Sequence, residues 1–133
     1  MAKAMIHWTL QAFRNFLDFR GRSGRPEYWW FTATHYIVYI FFIIAADRVI
    51  LMASGAIYAV VAIILASYLV AAIIPSISVT VRRLHDTGKS GWWYFLTFVP
   101  VAGNLVLLYF TLEMGDRETN RFGPPIISRG VVA

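Results

Sequence analysis

The chain alternates long uncharged runs with short, densely charged segments. Residues 49–81 and 90–112 contain no Asp, Glu, Lys, Arg or His, and residues 28–46 contain one ionisable group, His35. A helix of roughly 20 apolar residues covers the hydrocarbon core of a bilayer, which is about 30 Å thick. The pattern therefore predicts three membrane segments and a polar tail, at residues 28–46, 56–80, 91–112 and 113–133.

The third predicted segment is interrupted in its middle by Pro100 and by Gly103-Asn104. Its length suffices for one crossing but not for two. We expect a single kinked crossing, and the alternative is a pair of short half-helices that re-enter the same side. Broken backbone at membrane depth is tolerated where protein covers it, so both remain open. If the third segment crosses the membrane, the tail lies outside the cell. If the segment re-enters the same side, the tail lies in the cytoplasm.

An amphipathic helix is predicted over residues 4–19. Ile6, Leu10, Phe13 and Leu17 recur at helical spacing, and polar side chains occupy the opposite face. The segment is too polar to span a bilayer. We expect it to lie in the plane of the headgroups. The alternative is a helix that packs on the cytoplasmic end of the protein itself.

Two features of the first two spans predict contacts between helices. Small residues recur at helical spacing in the second span and would allow another helix to approach closely; they are Gly55, Ala59, Ala62 and Ala66. His35 is expected to be a neutral imidazole hydrogen-bonded to a neighbouring helix. The alternative is a functional ionisable group inside the membrane.

Composition supports a membrane protein and excludes several other classes. Hydrophobic residues make up 59% of the 133 residues and charged residues only 14%, too few to cover the apolar surface of a soluble domain. We therefore expect an all-α integral membrane protein with a single membrane domain over residues 1–133. Cysteine is absent, which removes disulfides and thiolate metal sites. The basic residues behind the net charge of +5 lie mainly at the ends of apolar runs and do not form a contiguous basic face, so we expect no nucleic-acid partner.

Orientation follows from the distribution of lysine and arginine. The N-terminal flank and the loop at residues 82–90 together contain eight of these residues, whereas the turn at residues 47–48 contains one. The prediction is a multi-pass protein of the bacterial inner membrane with a cytoplasmic N-terminus and a cytoplasmic central loop.

The charged segments also predict a polar cluster that joins the helix ends at the cytoplasmic face. Asp86 lies three and four residues after the arginines at 83 and 82, within reach on a continuing helix. Glu27, in the first turn of the first span, could receive an arginine from the same loop. The expected cluster consists of Arg22, Arg25, Glu27, Arg82, Arg83, His85 and Asp86. Asn120 and Arg121 would join it if the tail is inside.

Catalytic chemistry is not expected from these residues. His85 and Asp86 are adjacent on one backbone, with Ser90 nearby, and adjacent residues rarely orient each other as a Ser–His–Asp relay requires. The three histidines are scattered along the chain, so no metal site is indicated. Nothing in the sequence indicates a cofactor, and we expect none.

Three motifs resemble those of a known family. Residues 19–29, FRGRSGRPEYW, resemble its entry motif F-x-G-R-x-x-R-x-E-[YF]-W. Residues 82–93, RRLHDTGKSGWW, resemble its signature loop, and residues 120–124, NRFGP, resemble its closing motif. The family is the YhaH-like bacterial inner-membrane proteins, known as domain of unknown function 805. The resemblance implies a small inner-membrane protein of a few helices and assigns no catalytic residue, substrate or cofactor.

Three classes of function follow from this placement. We expect a non-enzymatic module that binds a partner protein or an anionic lipid headgroup through an arginine-rich cytoplasmic face to which Arg20, Arg22 and Arg25 contribute. The first alternative is a subunit of an oligomeric pore or transporter, formed by copies of this chain or with another membrane protein. The second is a membrane-interface enzyme that uses His85 and Asp86.

Overall fold

The computed structural model describes residues 2–52 and 55–126, and the regular structure in this part of the chain is helical. The expected all-α class is confirmed. The helices are α1 (Ala2–Arg14), α2 (Arg25–Met52), α3 (Gly55–Asp86), a 3₁₀ helix (Gly91–Phe98) and α4 (Ala102–Leu112). Residues 113–126 form an irregular segment with one isolated bridge, between Asn120 and Gly123. The remainder of the predicted tail, residues 127–133, lies outside the described residues.

Helices α2 and α3 are the two long apolar elements, and they run antiparallel. Glu27 pairs with Arg82, and further along α2, His35 meets Tyr68. Both helices are long and apolar enough to cross a membrane, over Arg25–Arg48 and Gly55–Asp86, and only 6% of each apolar window is buried. The core helix of a soluble protein would be buried, so these outward-facing apolar side chains are consistent with a lipid environment.

The bounds of the long helices differ from the predicted spans. The polar pair Asp47-Arg48 was expected to break the chain, but α2 continues through it to Met52. Two charged side chains at the end of a helix leave its backbone hydrogen bonds intact, unlike proline or glycine. Helix α3 continues past the predicted end at residue 80 to Asp86, and its last turn contains the paired arginines.

Helix α1 packs along α2 and does not lie across it. The Thr9 and Thr34 hydroxyls are 2.9 Å apart, and the Phe13 and Phe31 rings meet edge to face at 5.6 Å. Residue numbers fall along α1 as they rise along α2, so the two helices are antiparallel neighbours. This contact agrees with the alternative in which the helix packs on the protein itself, and its orientation in the headgroup plane stays a prediction. Helix α1 also ends at Arg14, earlier than the predicted residue 19.

The contact face of α1 contains Thr9, Ala12 and Phe13. Ala12 is fully buried with Phe31 and Val79, whereas Ile6, Leu10 and Leu17 of the predicted apolar face are exposed. In a bilayer this apolar face can meet lipid, because lipid tails solvate it as well as a protein core does. The hydroxyl of Ser78 on α3 lies 3.0 Å and 2.7 Å from the carbonyl oxygens of Asn15 and Asp18, just beyond the end of α1.

The third predicted segment is a helical hairpin and not a kinked crossing. The Lys89 Nζ lies 2.5 Å from Glu113 Oε2, so the two ends of the segment meet. Between them, Trp93 packs edge to face on Phe110, and the 3₁₀ helix and α4 are antiparallel. The chain reverses at Pro100, where Ala102 N donates to the proline carbonyl oxygen at 2.7 Å. The favoured single crossing is therefore wrong, and the re-entrant alternative matches the geometry.

Glycine makes this hairpin possible. A Cβ at Gly103 would lie 1.9 Å from the carbonyl oxygen of Leu96. Only a residue without a side chain lets the two short helices approach this closely. The small-residue stripe predicted in the second span has no such role within this chain, because all four of its residues are exposed: Gly55, Ala59, Ala62 and Ala66.

Candidate polar site at the helix ends

Asp86 is the centre of the polar cluster. Its Oδ1 accepts a hydrogen bond from Arg22 Nε at 2.8 Å, and its Oδ2 accepts one from Arg83 Nη1 at 2.5 Å. The Asp86 side chain is 7% exposed, Arg22 2% and Arg83 0%. A carboxylate that is this buried is tolerated because both oxygens are paired with charged donors. Asp86 therefore joins the entry motif to the end of α3.

Arg83 and Arg25 satisfy the carbonyl oxygens at the end of α4. Arg83 Nε donates to Thr111 O at 3.1 Å, and Arg25 Nε donates to Glu113 O at 3.2 Å. Arg83 Nη2 also reaches Glu113 O, and Arg25 Nη2 reaches Leu112 O. The last carbonyls of a helix lack partners within it, and cations there are favoured by the helix dipole. Two cationic caps thus fix the returning end of the hairpin to α2 and α3.

A second ion pair joins the first turn of α2 to α3. Arg82 Nη1 lies 2.8 Å from Glu27 Oε1, with side chains that are each 4% exposed. This contact is ionic without being a directed hydrogen bond, because its geometry leaves Glu27 Oε1 and the Arg82 Nε and Nη2 atoms without a hydrogen-bond partner in the described chain. Of the two adjacent arginines that the sequence offers to Glu27, the partner is therefore Arg82.

The irregular segment after α4 folds back onto the loop that follows α3. Arg22 Nη1 donates to the carbonyl oxygen of Glu118 at 2.9 Å, and Arg22 Nη2 donates to that of Asp116 at 2.5 Å. Asn120 Nδ2 donates to His85 O at 2.9 Å and to Asp116 Oδ2 at 2.8 Å. All three motif segments therefore meet at one end of the molecule.

His85 has a packing role in this arrangement. Its ring stacks on Phe122 with centroids 3.7 Å apart and 3° between planes, and its Nδ1 lies 3.1 Å from Gly21 O. Arg121 donates to Gly88 O at 3.3 Å and lies over the Phe122 ring.

Two glycines complete the site. Gly88 has φ +69°, as expected for the residue that ends α3. A Cβ at Gly115 would lie 2.0 Å from Asp86 Oδ2, a carboxylate oxygen already held by Arg83. Gly115 therefore allows the backbone after α4 to pass directly against the buried carboxylate.

The structure brings the residues of the predicted cluster together. Contacts join the following residues at one end of the helices: Arg22, Arg25, Glu27, Arg82, Arg83, His85, Asp86, Asn120 and Arg121. Arg20, which was predicted only for the arginine-rich face, does not join them, because its side chain is exposed and only its backbone N–H is bonded, to Asp18 Oδ1. His85 and Asp86 are not arranged as a catalytic relay. His85 faces Gly21, and Ser90 Oγ accepts instead from Trp92 N.

Sequence reasoning missed four residues of this site. Lys89 and Glu113 close the hairpin, and Gly115 and Asp116 contact the Asp86 side chain and backbone. The sequence does contain a signal for them. Glu113, Gly115 and Asp116 directly follow the third apolar run, at the position where re-entry would return the chain to the cluster.

A pocket of about 340 Å³ opens beside the cluster, and we call it the interfacial pocket. Its basic lining residues are Arg22, Arg25 and Arg117, and its apolar ones are Pro26, Met114 and Ile126. Asp86 and Asp116 also contribute to its wall. Both of these carboxylates already accept internal hydrogen bonds, whereas Arg117 is exposed and makes no ion pair or hydrogen bond within the described residues.

Comparison with known proteins gives a consistent result. A family model described as "Protein of unknown function (DUF805)" matches residues 16–124. The inner membrane protein YhaI of Escherichia coli (strain K12) is 37% identical over 126 residues, which cover 89% of this chain and 93% of YhaI. The inner membrane protein YhaH of the same strain is 34% identical over 121 residues, covering 90% of this chain and 95% of YhaH. No solved structure matches the chain.

The matched region contains α2, α3, the hairpin and the three motifs that meet at the polar cluster. The resemblance noted from those motifs is thereby confirmed. The chain belongs to the DUF805 family of small inner-membrane proteins.

Proposed function

We propose that this chain is a non-enzymatic module of the inner membrane that binds an anionic lipid headgroup in the interfacial pocket. The observation that carries the proposal is the composition of that pocket, in which the exposed arginines Arg25 and Arg117 stand beside exposed apolar side chains. A phosphate-bearing lipid presents the same two features, because its anionic head is joined to acyl chains.

The contacts separate structural arginines from available ones. Arg22, Arg82 and Arg83 are buried and paired with Asp86 or Glu27, so they serve the fold. Arg25 is exposed but donates to the end of α4, and Arg117 is exposed without an internal partner in the described chain. The binding role expected for the whole arginine-rich face therefore falls to Arg25 and Arg117.

Met114 and Pro26 supply the apolar side of the pocket. Met114 is 68% exposed and lies two residues after the end of α4 at Leu112. An exposed apolar side chain at the edge of a membrane segment is suited to the first methylenes of a lipid. The pocket thus combines two arginines for a phosphate with an apolar border for the chains below it.

The orientation that accompanies this proposal places the entry motif and the tail in the cytoplasm. With a re-entrant hairpin there are two crossings, α2 and α3. The polar end contains Arg20, Arg22, Arg25, Arg82, Arg83, Lys89, Arg117 and Arg121. Arg48 alone flanks the other end of α2. By the positive-inside rule the first group is cytoplasmic, which also faces the pocket toward the leaflet with abundant anionic lipid.

Reversal of one charge tests the proposal. The purified full chain in detergent is titrated with phosphatidylglycerol and, in parallel, with phosphatidylcholine, and bound lipid is counted by native mass spectrometry. We expect a preference for phosphatidylglycerol that falls about tenfold in Arg117→Glu, because a surface cation contributes on the order of 1 kcal/mol and its reversal adds repulsion.

Arg20→Glu is the matched control, since Arg20 is exposed, makes no side-chain bond within the described residues and does not line the pocket. Equal losses in both variants would indicate general surface charge and contradict the proposal. Inorganic phosphate is added as a competitor, and displacement of lipid at equimolar phosphate would assign the pocket to a free anion.

A subunit of an oligomeric pore or transporter is the second candidate, and the helical hairpin favours it. A hairpin of 3₁₀ and α-helix whose tip turns at Pro100 is the kind of interrupted element that lines aqueous routes in membrane proteins. Two crossings cannot enclose such a route alone. A monomer in nanodiscs, measured by mass photometry or cross-linking, would eliminate this candidate, and a defined ring of copies would support it.

A further inference from the structure

A second cavity, of about 580 Å³, lies between α2, α3 and the hairpin at the level of His35. We call it the mid-helix cavity. None of its lining residues belongs to the polar cluster or the interfacial pocket. Its volume falls within the roughly 300–1,000 Å³ that is usual for small-molecule sites.

Three polar groups in its wall lack partners. The Asn104 amide and the Tyr94 hydroxyl make no hydrogen bond within the described residues. His35 uses only Nδ1, which lies 3.2 Å from the Tyr68 hydroxyl. An unpaired amide or hydroxyl costs roughly 2–7 kcal/mol away from water. Three such groups, from α2, the 3₁₀ helix and α4, face one cavity between apolar helices, and this indicates a polar molecule between them.

Three other hydroxyls of the wall provide a contrast. Ser76 Oγ donates to Ala72 O at 2.7 Å, Thr80 Oγ1 to Ser76 O at 2.7 Å, and Thr97 Oγ1 to Tyr94 O at 2.5 Å. Their protons are used within their own helices, as is usual for hydroxyls in membrane helices. Asn104 and Tyr94 remain available as donors to a ligand, together with His35 in its Nε2–H tautomer.

Aromatic rings form much of the remaining wall. Phe31 and His35 line the cavity and are stacked at 6.2 Å and 13° between planes. His35 also stacks on Tyr68, which is not a lining residue, at 5.4 Å and 26°. Trp29 and Tyr36 line the same cavity. Near-parallel rings next to free hydrogen-bond donors fit a flat, conjugated head better than a branched glycerol ester.

The cavity continues into an apolar space along α3. This space, of about 330 Å³, shares His35, Ser76 and Tyr94 with the mid-helix cavity. Its other walls are aliphatic and come from Leu69, Val70, Ala72 and Ile73. No residue with a permanent charge lines either space. The occupant therefore has an uncharged head and an apolar tail.

We propose that the mid-helix cavity binds a lipid-soluble molecule with a planar, carbonyl-bearing ring and an apolar tail, which is the chemistry of the quinone class. The ring carbonyl oxygens accept hydrogen bonds from Asn104 and Tyr94, and the ring lies among the aromatic side chains. The tail follows the aliphatic groove on α3. The proposal concerns binding alone and is independent of the lipid site in the interfacial pocket.

Decylubiquinone is the probe that tests this site. It is titrated into the purified full chain in detergent, and quenching of tryptophan fluorescence is followed, with Trp29 in the cavity wall as a reporter. We expect saturable quenching. Tyr94→Phe and Asn104→Leu should each weaken binding about three- to tenfold, the effect of losing one hydrogen bond.

Tyr109→Phe is the matched control, because Tyr109 lies on α4, is 64% exposed and does not line the cavity. Its binding constant should be that of the unmodified chain. Far-UV circular dichroism confirms folding, and Tyr94→Phe, which removes one unpaired oxygen, decides the test if Asn104→Leu does not fold.

Three results would overturn the proposal. The first is quenching that rises linearly and equals that of a tryptophan analogue in empty micelles. The second is saturable binding that neither Tyr94→Phe nor Asn104→Leu alters. The third is displacement of decylubiquinone by equimolar dioleoylglycerol, which would make a glycerolipid the occupant of this cavity.

Discussion

Asp86 determines the arrangement of charges at the polar end of the molecule. Its two oxygens are bonded to Arg22 and Arg83, one from the entry motif and one from its own helix. Each arginine also donates to backbone carbonyls, Arg83 to that of Thr111 at the end of α4 and Arg22 to that of Asp116 after it. Buried charges of this kind persist only when almost every donor is matched, and removal of one partner leaves the others unpaired.

Substitution of Asp86 should therefore be among the most damaging single changes in the chain. Asp86→Asn leaves two buried arginines without a counter-charge, and we expect a loss of about 3–5 kcal/mol in the free energy of unfolding. Urea denaturation in micelles, followed by circular dichroism, measures it. Asp47→Asn, at an exposed position of α2, should change stability by no more than about 0.5 kcal/mol. A loss below about 1 kcal/mol for Asp86→Asn would contradict the central place of this carboxylate.

Gly115 is the second residue whose identity the fold requires. In Gly115→Ala the new Cβ would meet Asp86 Oδ2 at 2.0 Å, and the two arginines prevent that carboxylate from moving aside. We expect a destabilisation of about 1–3 kcal/mol, typical of overpacking. Gly55→Ala is the control, because a Cβ there meets nothing within 4 Å. The same denaturation experiment compares them, and equal stabilities would show that Asp86 relaxes freely.

At the scale of single residues, the sequence predicts charge pairs between neighbouring positions of one helix but not pairs between distant segments. The pairing of Arg83 with Asp86 follows from three residues of helical separation, and it is confirmed. The contact of Arg22 with Asp86 joins residues 64 positions apart, and no local pattern specifies it. Gly115 looked like an ordinary loop glycine, because the carboxylate that requires it lies in another segment.

Between elements, the antiparallel pairing of α2 and α3 is fixed at its polar end by Glu27 and Arg82. The two side chains come from the first turn of α2 and the last turns of α3. Two adjacent arginines were available to Glu27 in the sequence. Adjacent residues on a helix point about 100° apart, so only one can face α2 while the other faces α4.

A charge exchange tests this assignment. Glu27→Arg and Arg82→Glu should each destabilise the protein, and the double variant should recover about 0.5–3 kcal/mol of the summed losses. Unfolding of the four proteins of the cycle supplies the coupling energy. Glu27→Arg combined with Arg83→Glu is the comparison, and it should recover nothing because Arg83 faces Asp86. Recovery with Arg83 and none with Arg82 would reverse the assignment.

The hairpin shows where element-scale prediction fails. Pro100 and Gly103 mark an interruption, but an interrupted segment of this length fits both a kinked crossing and a re-entrant hairpin. Contacts at the two ends of the segment distinguish these alternatives, because Lys89 pairs with Glu113 and two arginines cap α4. These contacts join residues that are distant in the sequence, so no local pattern predicts them. Helix α1 is a similar case, because its apolar stripe faces outward, and the hydrophobic pattern alone cannot distinguish lipid from protein core.

At the scale of the whole molecule, lipid is the main environment of the side chains. Few large apolar residues are buried among the described residues, and most of those on α2, α3 and α4 are exposed. Without a large core, the fold depends on polar contacts at one end and on helix contacts within the bilayer. This part of the account was predictable from the uncharged runs alone, since their length and composition already exclude water as the solvent of those segments.

The central claim is that the entry motif, the loop after α3 and the segment after α4 share the cytoplasmic side of a two-crossing protein. The absence of cysteine from the chain allows a direct measurement. Single cysteines are introduced at the exposed positions Arg20, Arg48 and Thr119 and labelled with a membrane-impermeant maleimide, in spheroplasts and in inverted vesicles. We predict that Arg20→Cys and Thr119→Cys are labelled only in inverted vesicles and Arg48→Cys only in spheroplasts. Labelling of Thr119→Cys in spheroplasts, with Arg20→Cys labelled only in inverted vesicles, would place the tail outside and contradict the account.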